Sequence, residues 1–264
     1  MKNNPLITIA TVTYNAEETL ARTLESVSAQ DYPNVEHLIV DGRSTDKTLQ
    51  LVQRYVEQNT LKATPHSIRL VCENDNGLYD AMNKAIQLST GDYIVFLNAG
   101  DKLKTPQTLS LLAQTAEWVK GDASNPAIIY GETDLVDNDG NFLRHRRLSA
   151  PEKLTWRSFL NGMLVCHQSF YVRTDLAQLV PYNLEFRFSA DYDWCIRLMK
   201  IAAKRKLPIV NSNLILTDYL NEGLTTKNHR KSLIERLRLM ALHYGWPAAL
   251  AQHLWFFVRA AIKR

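Results

Sequence analysis

Two short stretches of the sequence hold carboxylates at positions where they could do chemistry. The first is Asn98-Ala99-Gly100-Asp101, which ends an apolar run that begins at Tyr93. A single carboxylate here, with an amide oxygen nearby, could bind Mg²⁺ or Mn²⁺, because such ions often use one or two carboxylates plus phosphate oxygens and water. The alternative is that Gly100 and Asp101 form a plain turn before the next helix.

The second stretch, Ser189 to Trp194, offers Asp191 and Asp193 as candidate general bases. Residues two apart on a helix point about 200° apart, so both acids cannot face one pocket if the stretch is helical. The alternative is that both carboxylates merely complement the N-terminus of a helix.

The elements that would position these acids alternate along the first 105 residues. Apolar strand candidates span 6–12, 35–40, 67–72 and 93–97, and helical patterns span 15–30, 46–58 and 78–89. Continuous apolar strands separated by amphipathic helices predict a mostly parallel sheet with helices on both faces. Asn15 and Glu18 also predict a capping box for the first helix.

The pattern changes after about residue 127. Two strands joined by a turn at Asn138-Asp139-Gly140 are followed by a strand at 169–173 and a helix at 191–205. We therefore predict a single α/β domain over residues 1–226, with halves 1–105 and 106–226, and a C-terminal helical extension over 227–264.

Polar residues follow each of the first strand candidates. They are Thr11, Tyr14, Asn15 and Glu18 after the first, Asp41 and Ser44 after the second, Asp80, Asn83 and Lys84 after the third, and Asn98, Gly100 and Asp101 after the fourth. Each loop alone is typical of helix caps and turns. Because ligands bind beyond the carboxyl ends of parallel strands, the set together predicts a nucleotide site. Asp80 and Lys84, four residues apart, form either a surface ion pair or a diphosphate contact.

The order of several blocks resembles glycosyltransferase family 2. Residues 11–48, 73–86 and 91–101 look like its nucleotide-sugar half, and 166–173, 188–198 and 220–226 look like its acceptor half. The resemblance implies a GT-A-like, Rossmann-type fold and an inverting transfer from a nucleotide-sugar donor, with a UDP-sugar as first choice. It also implies cell-envelope polysaccharide assembly on a glycan or a polyprenyl-diphosphate-linked sugar acceptor.

The resemblance also implies roles for individual residues. It places Thr11, Tyr14 and Asp41 at the base and ribose, Asp101 at the divalent metal, Asp191 as the general base, and His167 with Gln168 on the acceptor side. The chain departs from the family pattern at three places. Gly42 stands where a second acid is common, Met82 where an arginine is common, and Asn98 and Gly100 where acids are common.

The net charge of +4 is concentrated at the C-terminus, where eight basic residues and one acid lie from Lys227 onward. Basic residues beside Trp255 and Phe256 suit the surface of an anionic membrane. Packing on the catalytic domain or in a homodimer is the alternative. The segment lacks a nucleic-acid-binding motif, so we predict no nucleic-acid partner.

The remaining composition favours a cytoplasmic protein, either free or peripheral on the inner face of the membrane. The cysteines Cys72, Cys166 and Cys195 are dispersed, and no signal peptide or spanning segment is evident. Two other function classes stay open. A nucleotidyltransferase would need a Gly-rich basic loop after the first strand, and a non-catalytic sugar-nucleotide-binding protein would keep the fold without turnover.

Overall fold

The computed structural model describes residues 4–115, 117–119, 121–221 and 229–262. The strands are β1 (Ile7–Thr13), β2 (Val35–Asp41), β3 (Ser67–Cys72), β4 (Tyr93–Phe96), β5 (Lys102–Leu103), β6 (Ile128–Val136), β7 (Phe142–His145), β8 (Phe170–Arg173) and β9 (Ile209–Leu220). The α-helices are α1 (Leu20–Ser28), α2 (Thr48–Thr60), α3 (Leu78–Leu88), α4 (Thr108–Thr115), α5 (Thr174–Leu179), α6 (Ala190–Arg205), α7 (His229–Tyr244) and α8 (Trp246–Ile262). Short 3-10 helices span Trp156–Asn161 and His167–Ser169.

The first part of the sheet is parallel. Its strands lie in the order β3-β2-β1-β4, and Ile7 of β1 stands opposite Val35 of β2 and Tyr93 of β4. The carboxyl ends of these strands therefore meet at one edge, which is where the polar loops of the sequence were expected to converge.

Helices cover both faces of this parallel part. On one face, Phe96 belongs to a buried cluster with Met82 of α3. On the other face, Val95 belongs to a cluster with Leu109 of α4. Successive side chains of a strand point to opposite faces, so these neighbours enter different clusters. The predicted α/β architecture is confirmed.

The later strands extend the sheet in mixed directions. β8 is antiparallel to β4 and to β6, whereas β9 runs parallel to β6. β7 returns beside β6 through the predicted turn, in which Gly140 has a φ of 85° and donates its N–H to the carbonyl of Asp137. β9 has no counterpart among the strands predicted from the sequence, because polar residues interrupt its apolar pattern and Asn213 has a φ of 56°.

The first helix begins later than the sequence predicts. Its first residue is Leu20 and its N-cap is Thr19, where the described residues form no side-chain cap hydrogen bond. The capping box of Asn15 and Glu18 is therefore wrong. A turn precedes the helix instead, with the N–H of Leu20 donating to the carbonyl of Ala16 at 2.9 Å.

α7 packs into the core of the sheet domain. Leu239 and Met240 are fully buried in the same cluster as residues of α6. Glu235 accepts hydrogen bonds from the backbone N–H groups of Arg187 and Phe188, both at 2.8 Å. α7 therefore fixes the chain just before α6, where Asp191 lies. The acceptor-side block at 220–226 falls outside the described residues from position 222 onward.

α8 leaves an apolar stripe exposed. Gly245, with a φ of 87°, separates it from α7. Trp246, Leu250, Leu254 and Val258 recur at four-residue spacing and are 40 to 67% exposed. Across the described ranges, no helix has both the length and the apolar character needed to cross a membrane.

His37 of β2 is expected to make folding stability depend on pH. Its ring is fully buried, with Nε2 3.0 Å from Thr11 Oγ1 and Nδ1 2.8 Å from Tyr55 Oη. Burial, and to a lesser extent His66, lower the pKa of His37 from 6.5 to about 3. The folded protein keeps the ring neutral while the unfolded chain takes up a proton below about pH 6.5, so acid favours unfolding.

The contribution of His37 is complete above its unfolded pKa and is lost as the pH falls toward 3. Between pH 6 and 4 the wild type should lose about 1.4 kcal/mol of unfolding free energy per pH unit more than His37→Gln. Urea unfolding at several pH values measures this difference. Parallel pH profiles for the two proteins would contradict it.

Candidate active site

An open cleft of about 970 Å³ lies beyond the carboxyl ends of β1 and β4. Tyr14, Asn98, Asp101 and Asp191 all line it, together with His167. The structure therefore brings the residues that follow two parallel strands into one site with the acid of α6.

Asp101 lies deep in this cleft and is only 2% exposed. Its Oδ2 accepts a hydrogen bond from Gln168 Nε2 at 3.0 Å, and its Oδ1 accepts one from the N–H of Leu220 at 3.0 Å. Burial raises the pKa of Asp101 to about 6, although these hydrogen bonds act in the opposite direction. A nearby cation would favour its charged form.

Asn98 leaves a buried acceptor beside Asp101. Its Nδ2 lies 3.3 Å from His167 Nε2, while its Oδ1 has no hydrogen-bond partner among the described residues. A buried polar atom without a partner is costly unless a ligand supplies one. The loop after β4 thus offers two kinds of oxygen ligand, the neutral amide oxygen of Asn98 and the carboxylate of Asp101.

Gly100 allows this loop to take its shape. It has a φ of 101°, and an added Cβ would lie 2.6 Å from Leu220 Cδ2. Its N–H donates to Thr23 Oγ1 at 2.9 Å. Gly100 therefore supports the turn with its backbone, and it is not among the described residues that line the cleft.

Asp191 is held by three donors at the first turn of α6. Its Oδ1 accepts from Tyr79 Oη at 3.2 Å and from the N–H of Tyr192 at 2.9 Å, and its Oδ2 lies 3.2 Å from His167 Nδ1. Burial raises the pKa of Asp191, but the hydrogen bond from His167 and the charges of His167 and Arg236 outweigh it. The pKa therefore lies below its ordinary value, and the carboxylate is ionised at neutral pH.

Asp193 points away from the cleft. Its Oδ2 accepts from Arg197 Nε at 2.6 Å, and its Oδ1 lies 2.8 Å from Nε2 of His243 on α7. Both acids are helical, and the helix separates them as the two-residue spacing requires. Asp193 therefore joins α6 to α7, while Asp191 faces the cleft.

The 3-10 turn at His167–Ser169 connects the two acids. Adjacent side chains diverge, so that His167 reaches Asp191 while Gln168 reaches Asp101. Thr217 of β9 donates its hydroxyl to the Gln168 carbonyl at 2.8 Å, which fixes the turn on the sheet. His167 thus places Nδ1 at Asp191 and Nε2 at Asn98 Nδ2, and Nε2 can accept from Asn98 in the tautomer that carries its proton on Nδ1.

The loops after β1 and β2 are joined by a polar network. Ser44 donates from its N–H and its hydroxyl to the two oxygens of Asp41, at 2.8 and 2.6 Å. Asn15, with a φ of 47°, donates its N–H to Ser44 Oγ at 2.8 Å. Asp41 is fully buried, whereas Tyr14 is 63% exposed at the mouth of the cleft. Thr11 is buried inside the sheet against His37.

Other predicted donor residues support loops instead of lining the cleft. Asp80 accepts from the N–H of Asn76 at 2.8 Å, and Lys84 pairs with Glu73 at 3.0 Å, so the two do not pair with each other in the described structure. Asn83 makes two hydrogen bonds with the backbone of Tyr182. Glu18 is exposed. None of these four predicted residues (Glu18, Asp80, Asn83, Lys84) is among the described lining residues.

Gly42 makes room for a residue that sequence reasoning missed. A Cβ added at Gly42 would lie 2.5 Å from Asp75 Oδ2 and 3.3 Å from Tyr14 Cδ2. Asp75 lines the cleft, and its Oδ1 accepts from the N–H of Gly77 at 2.8 Å. Position 42 therefore has no acid of its own, and the space beside it holds the carboxylate of Asp75, which comes from the loop after β3.

Sequence reasoning also missed the basic residues of the cleft. Arg236 lines it and lies over the ring of Tyr192, with 5.6 Å between the guanidinium carbon and the ring centroid. The sequence pattern assigned Arg236 to a basic extension, because nothing local shows that α7 packs on α6. Arg144 of β7, and Arg146 and Arg147 just after β7, line the cleft as well.

A metal ion in this cleft would depend on oxygens from a ligand. Within the described ranges, no three His, Cys, Asp or Glu side chains cluster as a metal site. One carboxylate and one amide oxygen leave most positions of a six-coordinate ion to phosphate and water.

Comparison with known proteins identifies the family. A model described as Glycosyl transferase family 2 matches residues 8–179. The chain is 31% identical over 256 residues to the PGL/p-HBAD biosynthesis glycosyltransferase of Mycobacterium tuberculosis, covering 94% of this chain and 93% of that protein. It is 30% identical over 212 residues to the amylovoran biosynthesis glycosyltransferase AmsB of Erwinia amylovora, covering 76% and 67% of the two chains.

Solved structures share the fold. TarS of S. aureus with UDP-GlcNAc superposes with a TM-score of 0.65 at 21% identity, over 92% of this chain and 65% of that one. The mannosyltransferase PcManGT of Pyrobaculum calidifontis with GDP-Man and Mn²⁺ gives a TM-score of 0.58 at 18% identity, over 95% and 74%. The GT-A fold implied by the sequence resemblance is confirmed. The protein is a glycosyltransferase, and it belongs to glycosyl transferase family 2.

Proposed function

We propose that this glycosyltransferase moves a sugar, with inversion, from a nucleotide-sugar donor to a hydroxyl of a glycan or lipid-linked sugar acceptor. One observation carries the proposal: the turn at His167–Ser169 joins two carboxylates, because His167 contacts Asp191 and Gln168 donates to Asp101. The Asp101 carboxylate is buried in the same loop as Asn98, whose Oδ1 has no hydrogen-bond partner among the described residues. The Asp191 carboxylate is ionised and is held by three donors.

The nucleotide of the donor fits the end of the cleft that Tyr14 lines. Tyr14 offers an exposed ring on which a base can stack, and Asp75 beside it offers a carboxylate to the N–H groups of a base. The network of Asp41, Ser44 and Asn15 supports this surface from beneath. The solved structures of TarS and PcManGT are complexes with UDP-GlcNAc and GDP-Man, respectively. We place a UDP-sugar first among the donors.

Asp101 and Asn98 fit a divalent cation, Mg²⁺ or Mn²⁺, bound together with the donor diphosphate. The Asn98 oxygen lacks a partner, and burial raises the pKa of Asp101 to about 6, so a cation satisfies both groups. When bound, the ion supplies charge stabilisation to the departing nucleoside diphosphate. The solved structure of PcManGT is a complex that includes Mn²⁺.

Asp191 acts as the general base in this proposal. As the acceptor oxygen attacks the anomeric carbon of the donor, the bond to the diphosphate breaks and the Asp191 carboxylate takes the hydroxyl proton. Tyr79 and His167 hold the carboxylate so that its oxygen faces the cleft. His167 also orients Asn98, so one side chain positions both sides of the reaction centre.

The cellular role we propose is cell-envelope polysaccharide or glycolipid assembly at the inner face of the cytoplasmic membrane. The relatives in Mycobacterium and Erwinia carry names from PGL/p-HBAD and amylovoran biosynthesis. The exposed stripe of Trp246, Leu250, Leu254 and Val258 offers apolar area for a peripheral contact with an anionic membrane surface.

A donor-hydrolysis screen tests the proposed function. Purified protein is incubated with UDP-, GDP- and dTDP-sugars, with Mg²⁺, Mn²⁺ or EDTA, and release of nucleoside diphosphate is measured. We expect at least one donor to be hydrolysed slowly, with the rate lost in EDTA. Nuclear magnetic resonance of a transfer product gives the anomeric configuration. Absence of binding and hydrolysis for every donor would contradict the transferase proposal, and a retained configuration would contradict inversion.

A further inference from the structure

Tyr219, near the end of β9, lines the cleft beside the two carboxylates of the candidate site. It lies two residues after Thr217 on the strand, so both side chains point to the same face of the sheet. Thr217 donates its hydroxyl to the carbonyl of Gln168 at 2.8 Å. Tyr219 therefore lies on the face that carries the turn at His167–Ser169.

The pairing of β5 with β9 brings Tyr219 close to Asp101. Lys102 of β5 stands opposite Asp218 of β9 in an antiparallel register. One residue further along this register, Asp101 faces Tyr219, and opposite residues of such a pair have neighbouring side chains. The N–H of Leu220 donates to Asp101 Oδ1 at 3.0 Å, which holds the two segments together at this point.

Both carboxylates of the site act on the Tyr219 hydroxyl. Burial, the main cause, raises the pKa of Tyr219 above its ordinary value. The charges of Asp101, Cys166 and Asp191 raise this pKa further. The phenol therefore keeps its proton at neutral pH, and it lies within electrostatic reach of the two carboxylates at once.

The Tyr219 hydroxyl is available to a ligand. It forms no hydrogen bond with the described residues, and it is not one of the buried polar atoms that lack a partner, so it is open to the cleft. Tyr79, which also lines the cleft, differs because its hydroxyl donates to Asp191. A protonated phenol can donate one hydrogen bond and also accept one.

The neighbour of Tyr219 across the sheet favours a neutral sugar over a phosphate as that ligand. Leu135 of β6 stands opposite Tyr219 and lines the cleft too. Arg146 acts on the charge of Tyr219, but it donates to the carbonyls of Met163 and Leu164. A phenol beside an aliphatic side chain offers a hydrogen bond and an apolar surface, which match the hydroxyl groups and the C–H face of a sugar ring.

The transferred sugar has to occupy the space between Asp101 and Asp191. In the proposed transfer the departing diphosphate lies at Asp101 and the attacking acceptor oxygen lies at Asp191. The anomeric carbon exchanges one oxygen for the other, so it lies between them when the two bonds break and form. Because Tyr219 is near both acids, its hydroxyl faces this sugar.

We propose that Tyr219 is a specificity-determining residue, whose phenol hydrogen-bonds to a ring hydroxyl of the transferred sugar. It selects a donor that carries this hydroxyl over the corresponding deoxy-sugar donor. A site that hydrogen-bonds a substrate hydroxyl rejects the analogue without it, because a protein group is then left unpaired. This inference rests on the proposed transfer and adds the way in which the donor sugar is recognised.

Tyr219→Phe tests the inference, because it removes the hydroxyl and keeps the ring. Titration calorimetry with Mg²⁺ compares UDP-glucose, UDP-galactose, UDP-GlcNAc, GDP-mannose and dTDP-glucose with UDP, GDP and dTDP. We expect the variant to bind the tightest of these sugar nucleotides about fivefold to tenfold more weakly than the wild type. Its affinity for the matching nucleoside diphosphate should stay within about twofold of the wild type.

Analogues of that sugar nucleotide that lack one sugar hydroxyl each locate the contact. One of them should bind the wild type about fivefold to tenfold more weakly than the parent compound. The same analogue should show no such loss with Tyr219→Phe, because the two changes remove the same interaction.

Tyr171→Phe is the matched control. It also removes a tyrosine hydroxyl without a hydrogen-bond partner in the described structure, but Tyr171 is fully buried in a core cluster. It is not among the described residues that line the cleft. Its affinities should equal those of the wild type, and both variants should melt at the wild-type temperature, because neither loses a hydrogen bond within the described protein.

Two outcomes would overturn the inference. One is unchanged affinity of Tyr219→Phe for every sugar nucleotide that the wild type binds, and the other is an equal loss for the nucleoside diphosphate, which would place the phenol at the phosphates. Wild-type donor hydrolysis with either outcome rejects this inference alone. Sugar-dependent loss of binding in Tyr219→Phe without any hydrolysis by the wild type rejects the transferase proposal alone, and no binding of any sugar nucleotide rejects both.

Discussion

Asp191→Asn is expected to lower kcat by about 10²- to 10⁴-fold, because the amide cannot take the proton of the acceptor hydroxyl. The replacement keeps the shape of the side chain, although its single oxygen can accept from only one of Tyr79 and His167, which contact different oxygens of Asp191. Donor affinity should therefore stay within about threefold of the wild type, since the loss falls on the transition state. Steady-state transfer kinetics and titration of the donor nucleotide measure the two quantities separately.

Asp193→Asn is the matched control, two residues along the same helix. It removes an equal charge, but the lost contacts are those to Arg197 and to His243 of α7. We expect a lower melting temperature and, below it, a kcat within about threefold of the wild type. If Asp193→Asn lost activity as severely as Asp191→Asn while remaining folded, the assignment of the general base to Asp191 would be wrong.

Asp101→Asn is expected to lower kcat/KM by at least about 100-fold. A bound metal ion contributes several kcal/mol of charge stabilisation to the transition state, and each factor of ten in rate corresponds to about 1.4 kcal/mol. The variant keeps the size of the side chain, and Leu220 can still donate to it. The Mn²⁺ concentration needed for half-maximal donor hydrolysis should rise together with the loss in rate. Manganese titration monitored by electron paramagnetic resonance, with nucleoside diphosphate present, measures the binding directly.

Asp139→Asn controls for the loss of one negative charge, because Asp139 is exposed in the turn between β6 and β7. Its kinetics and its manganese requirement should match those of the wild type. Unchanged metal dependence in folded Asp101→Asn would show that the ion binds elsewhere. The buried Asn98 oxygen would then need another ligand, such as a ribose hydroxyl.

The parallel part of the fold was predictable because its strands are continuous apolar runs. β3 matches its predicted span of 67–72, β2 and β4 differ from theirs by one residue at one end, and β1 is shifted by one residue at both ends. The separation of Asp191 from Asp193 was predictable too, because it follows from helical geometry alone. β9 was not, since its pairing with β6 depends on bulges and polar residues that carry no simple period.

Where the observed site differs from the site predicted from the sequence, most of the differences come from contacts between segments that are far apart in the chain. Asp80 and Lys84 share a helix and have the four-residue spacing of an ion pair. Each of them instead bonds to a residue of the loop at 73–76. Arg236 enters the cleft because α7 buries Leu239 and Met240, which a count of basic residues cannot reveal. Asp75 meets position 42 only through the pairing of β2 with β3.

The close approach at Gly42 makes two positions of the chain interdependent in evolution. With Asp75 in place, even alanine at 42 would put its Cβ 2.5 Å from a carboxylate oxygen, whereas a shorter residue at 75 would vacate that space. A lineage that acquires a second acid at position 42 must therefore move, shorten or lose the side chain at 75. Across homologues, we expect an acid at one of these positions to coincide with a small residue at the other. An alignment of relatives that keep the Asp41–Ser44 pair reads out this exchange.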